Sequence, residues 1–295
     1  MLGEAGATVY CTGRSVRGKP AIANRPETIE ETAEMVTARG GRGIALRVDH
    51  TVEEQVRELF ARVKAEQGRL NILVNDVWGG DELTEWGKRF WEVSLAKGRA
   101  MLEPAIYSHI VTSHFGAPLL METGEGLIVE ITDGDSYTYR GHIFYDLVKC
   151  SVIRLAFGMA RELRRSKVTV VAVTPGYLRS ERMLEHFGVT EANWRDGAKV
   201  RPDFIESETP FFVGRAVAAL AADPEVAKKS GRAFSSWGLA AEYGFEDVDG
   251  RVPDFGGYFA KKYGFAMKTC DDAFYEHWKG GPLEVMFPDL FPEMP

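Results

Sequence analysis

Short apolar runs rich in β-branched residues alternate along this chain with stretches whose apolar residues recur at helical spacing. The runs fall at residues 7–11, 43–48, 70–75, 126–132 and 168–174. Each is too brief for a helix and too uniformly apolar for a strand with one wet face, so each reads as a strand covered on both sides. Between them Ile29, Ala33 and Val36, then Val52, Val56, Leu59, Phe60 and Val63, mark amphipathic helices. Longer helices are expected over 101–121 and 144–165, and another over 211–222. Pro26 suits the first turn of the first helix, Gly40-Gly41 its end, and Thr51 the N-cap of the next. Such alternation dictates βαβ units, hence an α/β fold with a doubly wound parallel sheet. No internal repeat is found. Residues 1–250 are expected to form one domain and residues 251–295 an extension packed on it or on a subunit neighbour. The extension is marked by Gly256-Gly257-Tyr258-Phe259, Phe287-Pro288 and Phe291-Pro292.

A net charge of −7 and the lack of a long basic block argue against a nucleic-acid surface. No apolar run approaches the roughly 18 residues that span a bilayer. The start of the chain lacks the features of a secretory signal. Cys11, Cys150 and Cys270 are distant and odd in number, which gives neither a disulfide framework nor a CxxC metal pair. A cytoplasmic protein without membrane or nucleic-acid partners is expected.

Chemistry concentrates in Tyr145-Asp146-Leu147-Val148-Lys149. Residues four apart on a helix share a face, so the ammonium stands beside the phenol, favours the phenolate and draws its pKa towards the working range. Such a tyrosine can give and take a proton. Ligands of open parallel sheets bind beyond the carboxyl ends of strands, and this helix follows the strand 126–132. Other features sit at strand ends in order: Thr12-Gly13-Arg14, Asp49, Asn75 in Asn-Asp-Val-Trp-Gly, and Pro175-Gly176.

With those landmarks the chain resembles the short-chain dehydrogenase/reductase family from Ala7 to about Gly244. Gly126-Leu-Ile-Val and His109 with Gly116-Ala117 resemble the branch of the dehydrogenase/reductase member 1 proteins and their bacterial relatives. The resemblance implies a Rossmann-type fold and a nicotinamide cofactor. It implies that Tyr145 exchanges the substrate proton and that Lys149 holds the ribose and lowers the tyrosine pKa. It further implies that Asp49 meets the adenine, Asn75 the ribose, and Pro175, Gly176, Leu178 and Ser180 the nicotinamide. The bland alternatives are a strand-end acid for Asp49, a side chain bridging strand ends for Asn75, and turn chemistry for the Pro-Gly pair. The family's catalytic serine has two matches here: counting thirteen residues back from Tyr145 reaches Thr132, matching the strand end reaches Asp133, and Ser136 lies just beyond. Thr132 is carried forward as the catalytic hydroxyl. The family's relay asparagine falls at Ala105, with Ser108 or His109 as substitutes if a relay exists.

Between Ala5 and Pro26 there is no acid, while Arg14, Arg17, Lys19 and Arg25 are cations. A guanidinium chelates phosphate with two parallel hydrogen bonds, so Arg14 reads as the partner of the 2′-phosphate of NADP(H). The family's TGxxxGxG loop is not found, and roughly twenty to thirty residues of a first βα unit are expected to be missing. The resulting expectation is an NADP(H)-dependent oxidoreductase, a homodimer or homotetramer, acting on an apolar small molecule. Its pocket would draw on Trp78, the 132–144 loop and residues 177–212, with Tyr137, Tyr139, Trp194, Phe211 and Phe212 as aromatic lining. The rival readings are a non-enzymatic binding or regulatory protein on the same fold, an inactive truncated relative, and an interaction module that uses the extension.

Overall fold

A computed structural model describes residues 1–21 and 25–264. Its strands are β1 (Thr8–Gly13), β2 (Arg42–Arg47), β3 (Ile72–Asn75), β4 (Gly126–Ile131), β5 (Val168–Thr174) and β6 (Ala233–Ser235). Every pairing is parallel. They form a two-stranded sheet, β1-β2, and a four-stranded sheet, β3-β4-β5-β6. Between β1 and β3 lies a cleft of ≈ 770 Å³ lined by Thr8, Tyr10, Ile72 and Val74 among others.

The helices are α1 (Ile29–Ala38), α2 (Glu53–Gln67), α3 (Leu95–Leu102), α4 (Ser108–Thr123), α5 (Ile143–Glu162), α6 (Glu181–Phe187), α7 (Pro210–Ala222), α8 (Ser236–Tyr243) and α9 (Phe255–Tyr263). α2, α4 and α5 cover one face of the larger sheet and α7 and α8 the other. Alternation along each strand divides the core: Ile128, Val170 and Ala172 join α2, α4 and α5 through Phe60, Leu120, Ile153 and Ala156. Leu127, Val129, Val171 and Val173 point the other way, onto Ala216, Leu220 and Leu239 of α7 and α8. All residues of β5 are buried, as its unbroken apolar sequence requires. The fold is an α/β Rossmann-type arrangement.

Several local expectations change. The helix expected over 101–121 is α3 and α4 joined by a π turn, Glu103–Tyr107, where Pro104 lacks the N–H that would continue an α-helical ladder. Pro26 lies ahead of α1, whose true cap is Thr28 in a capping box with Glu31. Thr51 is not a cap: its amide and hydroxyl both donate to Asp49, and Val52 takes the N-cap position. β6, α6, α8 and α9 were not foreseen. The start of the expected extension, α9, docks on the domain through Lys262 and Tyr263, both bonded to Asp203. Cys270 and the Phe-Pro pairs at 287–292 lie outside the described residues. Among the described residues no helix is long and apolar enough to cross a membrane.

Candidate active site

The strand-to-helix turn after β4 sets the site. His142 caps α5, its Nδ1 accepting from the Tyr145 amide at 3.3 Å, and the Arg140 amide donates to Asp146 at 2.9 Å. These bonds fix the first turn of α5, which carries Tyr145 and, one turn on, Lys149. The Tyr145 ring has the edge of Trp78 at 5.4 Å and a tilted Trp86 at 5.1 Å. The Lys149 ammonium lies 4.2 Å from the centre of the Trp78 ring and 5.6 Å from that of Tyr145. Among the described residues it makes no ion pair.

The Tyr145 hydroxyl donates to Asp133 Oδ2 at 2.6 Å. Thr132, the residue chosen by counting, is buried and gives its hydroxyl to the Lys149 carbonyl at 2.9 Å. The carboxylate therefore occupies the place assigned to a hydroxyl, and Thr132 ties the end of β4 to α5. Ser136 pairs with Thr138 instead. The expected fall in the tyrosine pKa is also reversed: burial, then the Asp133 charge and hydrogen bond, hold Tyr145 well above its ordinary value. Burial lowers Lys149, with Asp133, Asp76 and Asp81 opposing. In this arrangement the phenol is a proton donor already engaged.

The residues expected at the cofactor divide. Arg14 follows β1 and Asp49 follows β2, and the ladder brings them together, with Nη1 of Arg14 3.9 Å from Asp49 Oδ2. Burial would raise the Asp49 pKa, but the Thr51 hydrogen bonds and then Arg14 lower it overall. Half of the Arg14 side chain remains exposed. Asn75 is turned inward: its amide donates to Ser113 at 2.9 Å and Glu130 at 2.7 Å, so it braces β3 against α4 and β4. Pro175 and Gly176 follow β5, beside the end of β4, where the Gly134 amide donates to Thr174 Oγ1 at 2.7 Å. The Gly176 amide is spent on Glu208 at 2.8 Å, Leu178 bridges to Glu208, and Ser180 caps α6. Of the proposed pocket aromatics, Trp194 and Phe212 are core residues and Tyr137 packs on the core, while Tyr139 is exposed.

Behind the site runs a buried polar chain that sequence reasoning missed. His109 Nδ1 meets Glu130 Oε2 at 2.6 Å and its Nε2 donates to the Val77 carbonyl at 3.1 Å. Burial lowers its pKa, but the hydrogen bond and charge of Glu130 outweigh that and raise it. The available signal was Glu130 itself, an acid in an otherwise apolar strand, which demands a partner. Ala105, at the relay position, is buried, and Ser108 donates to the Pro104 carbonyl, so neither supplies a relay group.

Parallel strands with helices on both faces, and a Tyr-Lys pair at the carboxyl ends, define the class of α/β dinucleotide-dependent oxidoreductases. The sequence profile of short chain dehydrogenases matches residues 5–188. Dehydrogenase/reductase SDR family member 1 of Mus musculus is 35% identical over 273 residues, covering 90% of this chain and 83% of that protein. Its Homo sapiens counterpart is 35% identical over 260 residues, covering 86% and 80%. A crystal structure of a putative dehydrogenase from Xanthomonas campestris superposes with a TM-score of 0.67 at 23% identity, covering 87% of this chain and 85% of that one, and shares the fold. The chain belongs to the short-chain dehydrogenase/reductase family, in the branch of the member 1 proteins.

That family works with a nicotinamide dinucleotide, NAD or NADP. The chain's residues fit such a group at two points: the Lys149 ammonium beside Tyr145, which makes no ion pair among the described residues, and Arg14 at the end of β1, about half of whose side chain is exposed.

Proposed function

We propose that this chain is an NADP(H)-dependent oxidoreductase interconverting a carbonyl and an alcohol on a small molecule with an apolar body. The observation that carries the reading is the Tyr145 hydroxyl, walled by Trp78 and Trp86 with Lys149 alongside. When bound, the dinucleotide supplies or accepts the hydride. Tyr145 gives its phenolic proton to the carbonyl oxygen in reduction and takes it from the alcohol in oxidation. Lys149 holds the ribose hydroxyls and stabilises the phenolate once the proton has left. The rings of Trp78 and Trp86 offer apolar contact for the substrate body.

The preference for NADP(H) rests on Arg14, whose fork suits a phosphate and whose stretch of sequence from Ala5 to Pro26 contains no acid, Asp49 across the ladder standing 3.9 Å from its Nη1. Stopped-flow oxidation of NADPH and NADH against a carbonyl panel tests the whole reading. NADPH should be consumed faster, and Arg14→Ala should weaken NADPH binding by about 1.5–3 kcal/mol while leaving NADH nearly unchanged. Equal losses for both would make Arg14 structural. No oxidation with any carbonyl would end the enzymatic reading.

A further inference from the structure

The group touching the reacting hydroxyl is an acid. A serine or threonine hydroxyl both donates and accepts, whereas an ionised carboxylate only accepts. Asp133 therefore cannot help to hold a carbonyl oxygen, and it engages the one proton that Tyr145 has to give. An uncharged ketone would have to win that proton from a charged acceptor, the stronger kind.

Asp133 is half-buried, and among the described residues Tyr145 is the one hydrogen-bond donor to its carboxylate, with no ion pair. The nearby cations are directed elsewhere. Arg140 donates to the backbone oxygens of Asp133, Ser136 and Thr138 and to the Asp146 carboxylate. Lys149 lies on the Trp78 ring. Beside the Tyr145-Asp133 pair stands Trp86, 59% exposed, a ring face of the kind on which an organic cation rests. A carboxylate and an aromatic wall thus flank the Tyr145 hydroxyl, a pairing that suits an organic cation.

Resting on the carbonyl and alcohol reading above, we infer that the preferred substrate carries an ammonium group on the carbon adjacent to the reacting one. It is an α-amino ketone in the reductive direction and a vicinal amino alcohol in the oxidative direction. In such a molecule nitrogen and oxygen on neighbouring carbons can stand about one hydrogen-bond length apart, which matches the 2.6 Å between the Tyr145 hydroxyl and Asp133 Oδ2. The ammonium donates to Asp133 and so releases the Tyr145 hydroxyl to the carbonyl oxygen. In reduction a bound, reduced nicotinamide dinucleotide would supply the hydride for the new C–H bond at the carbonyl carbon and would itself be oxidised. The C=O π pair moves to oxygen, which forms an O–H bond with the Tyr145 proton, and the tyrosine regains a proton from water. The ammonium keeps its own protons throughout. Asp133 is then a specificity residue that gates the proton donor by the charge of the substrate.

The test compares 2-aminoacetophenone with acetophenone as substrates, and 2-amino-1-phenylethanol with 1-phenylethanol as ligands in calorimetry without turnover. The wild type should favour each amine about 10- to 100-fold in kcat/KM and in affinity. In Asp133→Asn and in Asp133→Ser, each checked for an unchanged melting profile, both preferences should fall towards one. If the ketones are equal as substrates and the alcohols bind equally, the inference is overturned while the carbonyl reading stands. If neither ketone is reduced yet the amino alcohol binds more tightly and Asp133→Asn abolishes the advantage, the amine site stands and the carbonyl reading falls.

Discussion

At the scale of single residues the site reduces to a phenol, an ammonium and a carboxylate. Removing the phenolic oxygen leaves the ring packed between Trp78 and Trp86. Tyr145→Phe should therefore keep dinucleotide affinity, measured by fluorescence titration, and lose roughly 10²- to 10⁴-fold in turnover. Turnover within a factor of about three of wild type would place the proton donor elsewhere. The Tyr-Lys spacing was readable from the sequence because four residues on a helix always share a face. The third member was not. Counting back from Tyr145 and matching the strand end disagree by one residue, and one residue at the end of a strand turns the side chain to the opposite face. Thr132 faces α5, and Asp133 faces the phenol. The partners of Asn75, Ser113 and Glu130, could not be named in advance because they are distant in sequence and only the fold brings them close.

At the scale of elements, the contact of α1 with β2 depends on having no side chain at Gly43. A Cβ there would stand 1.9 Å from the Ala33 carbonyl oxygen and 2.6 Å from its Cα, both backbone atoms of α1 that no rotamer change can move. Gly43→Ala should thus destabilise the fold by roughly 1–3 kcal/mol in a denaturant titration. Gly158→Ala is the control, since it meets nothing within 4 Å inside α5 and should be neutral or stabilising by up to about 1 kcal/mol. A Gly43→Ala variant as stable as the wild type would show that α1 can shift to make room. Long or uniformly apolar elements were legible: β5 falls at the expected residues and α5 and α7 within a few. β6 is three residues without a β-branched member, and α6 and α8 are each about two turns, so their periodicity is too short to read. What holds these short elements is their N-caps, Ser180 and Ser235, together with the contacts they make in three dimensions.

At the scale of the whole molecule, His50 ties the two-stranded sheet to α4 of the larger layer. Its Nε2 meets the Thr12 hydroxyl at the end of β1, and its Nδ1 meets Thr112 on α4, both at 2.8 Å. Thr112 gives its own proton to the Ser108 carbonyl, so Nδ1 of His50 donates to Thr112. Burial, opposed by Asp49, lowers its pKa to about 4. Above about pH 6.5 folded and unfolded chains both carry a neutral ring and this contribution is fully present. Between about pH 6.5 and 4 only the unfolded chain binds the proton, so stability is lost as pH falls, by roughly 2–3 kcal/mol in all. His109, raised above its ordinary value, acts in the opposite sense and stabilises below its unfolded pKa. Thermal melts from pH 7.5 to 4 should show His50→Gln losing stability less steeply than the wild type, and parallel slopes would mean that His50 is not the titrating link. The two-stranded sheet has a further consequence. No backbone ladder among the described residues ties β1 to β3; Tyr10 of β1 and Leu46 of β2 instead pack on the core that α2 helps to form. Under native conditions in heavy water, β1 and β2 should open together and exchange their amides well before β5, whose release requires the entire chain to unfold.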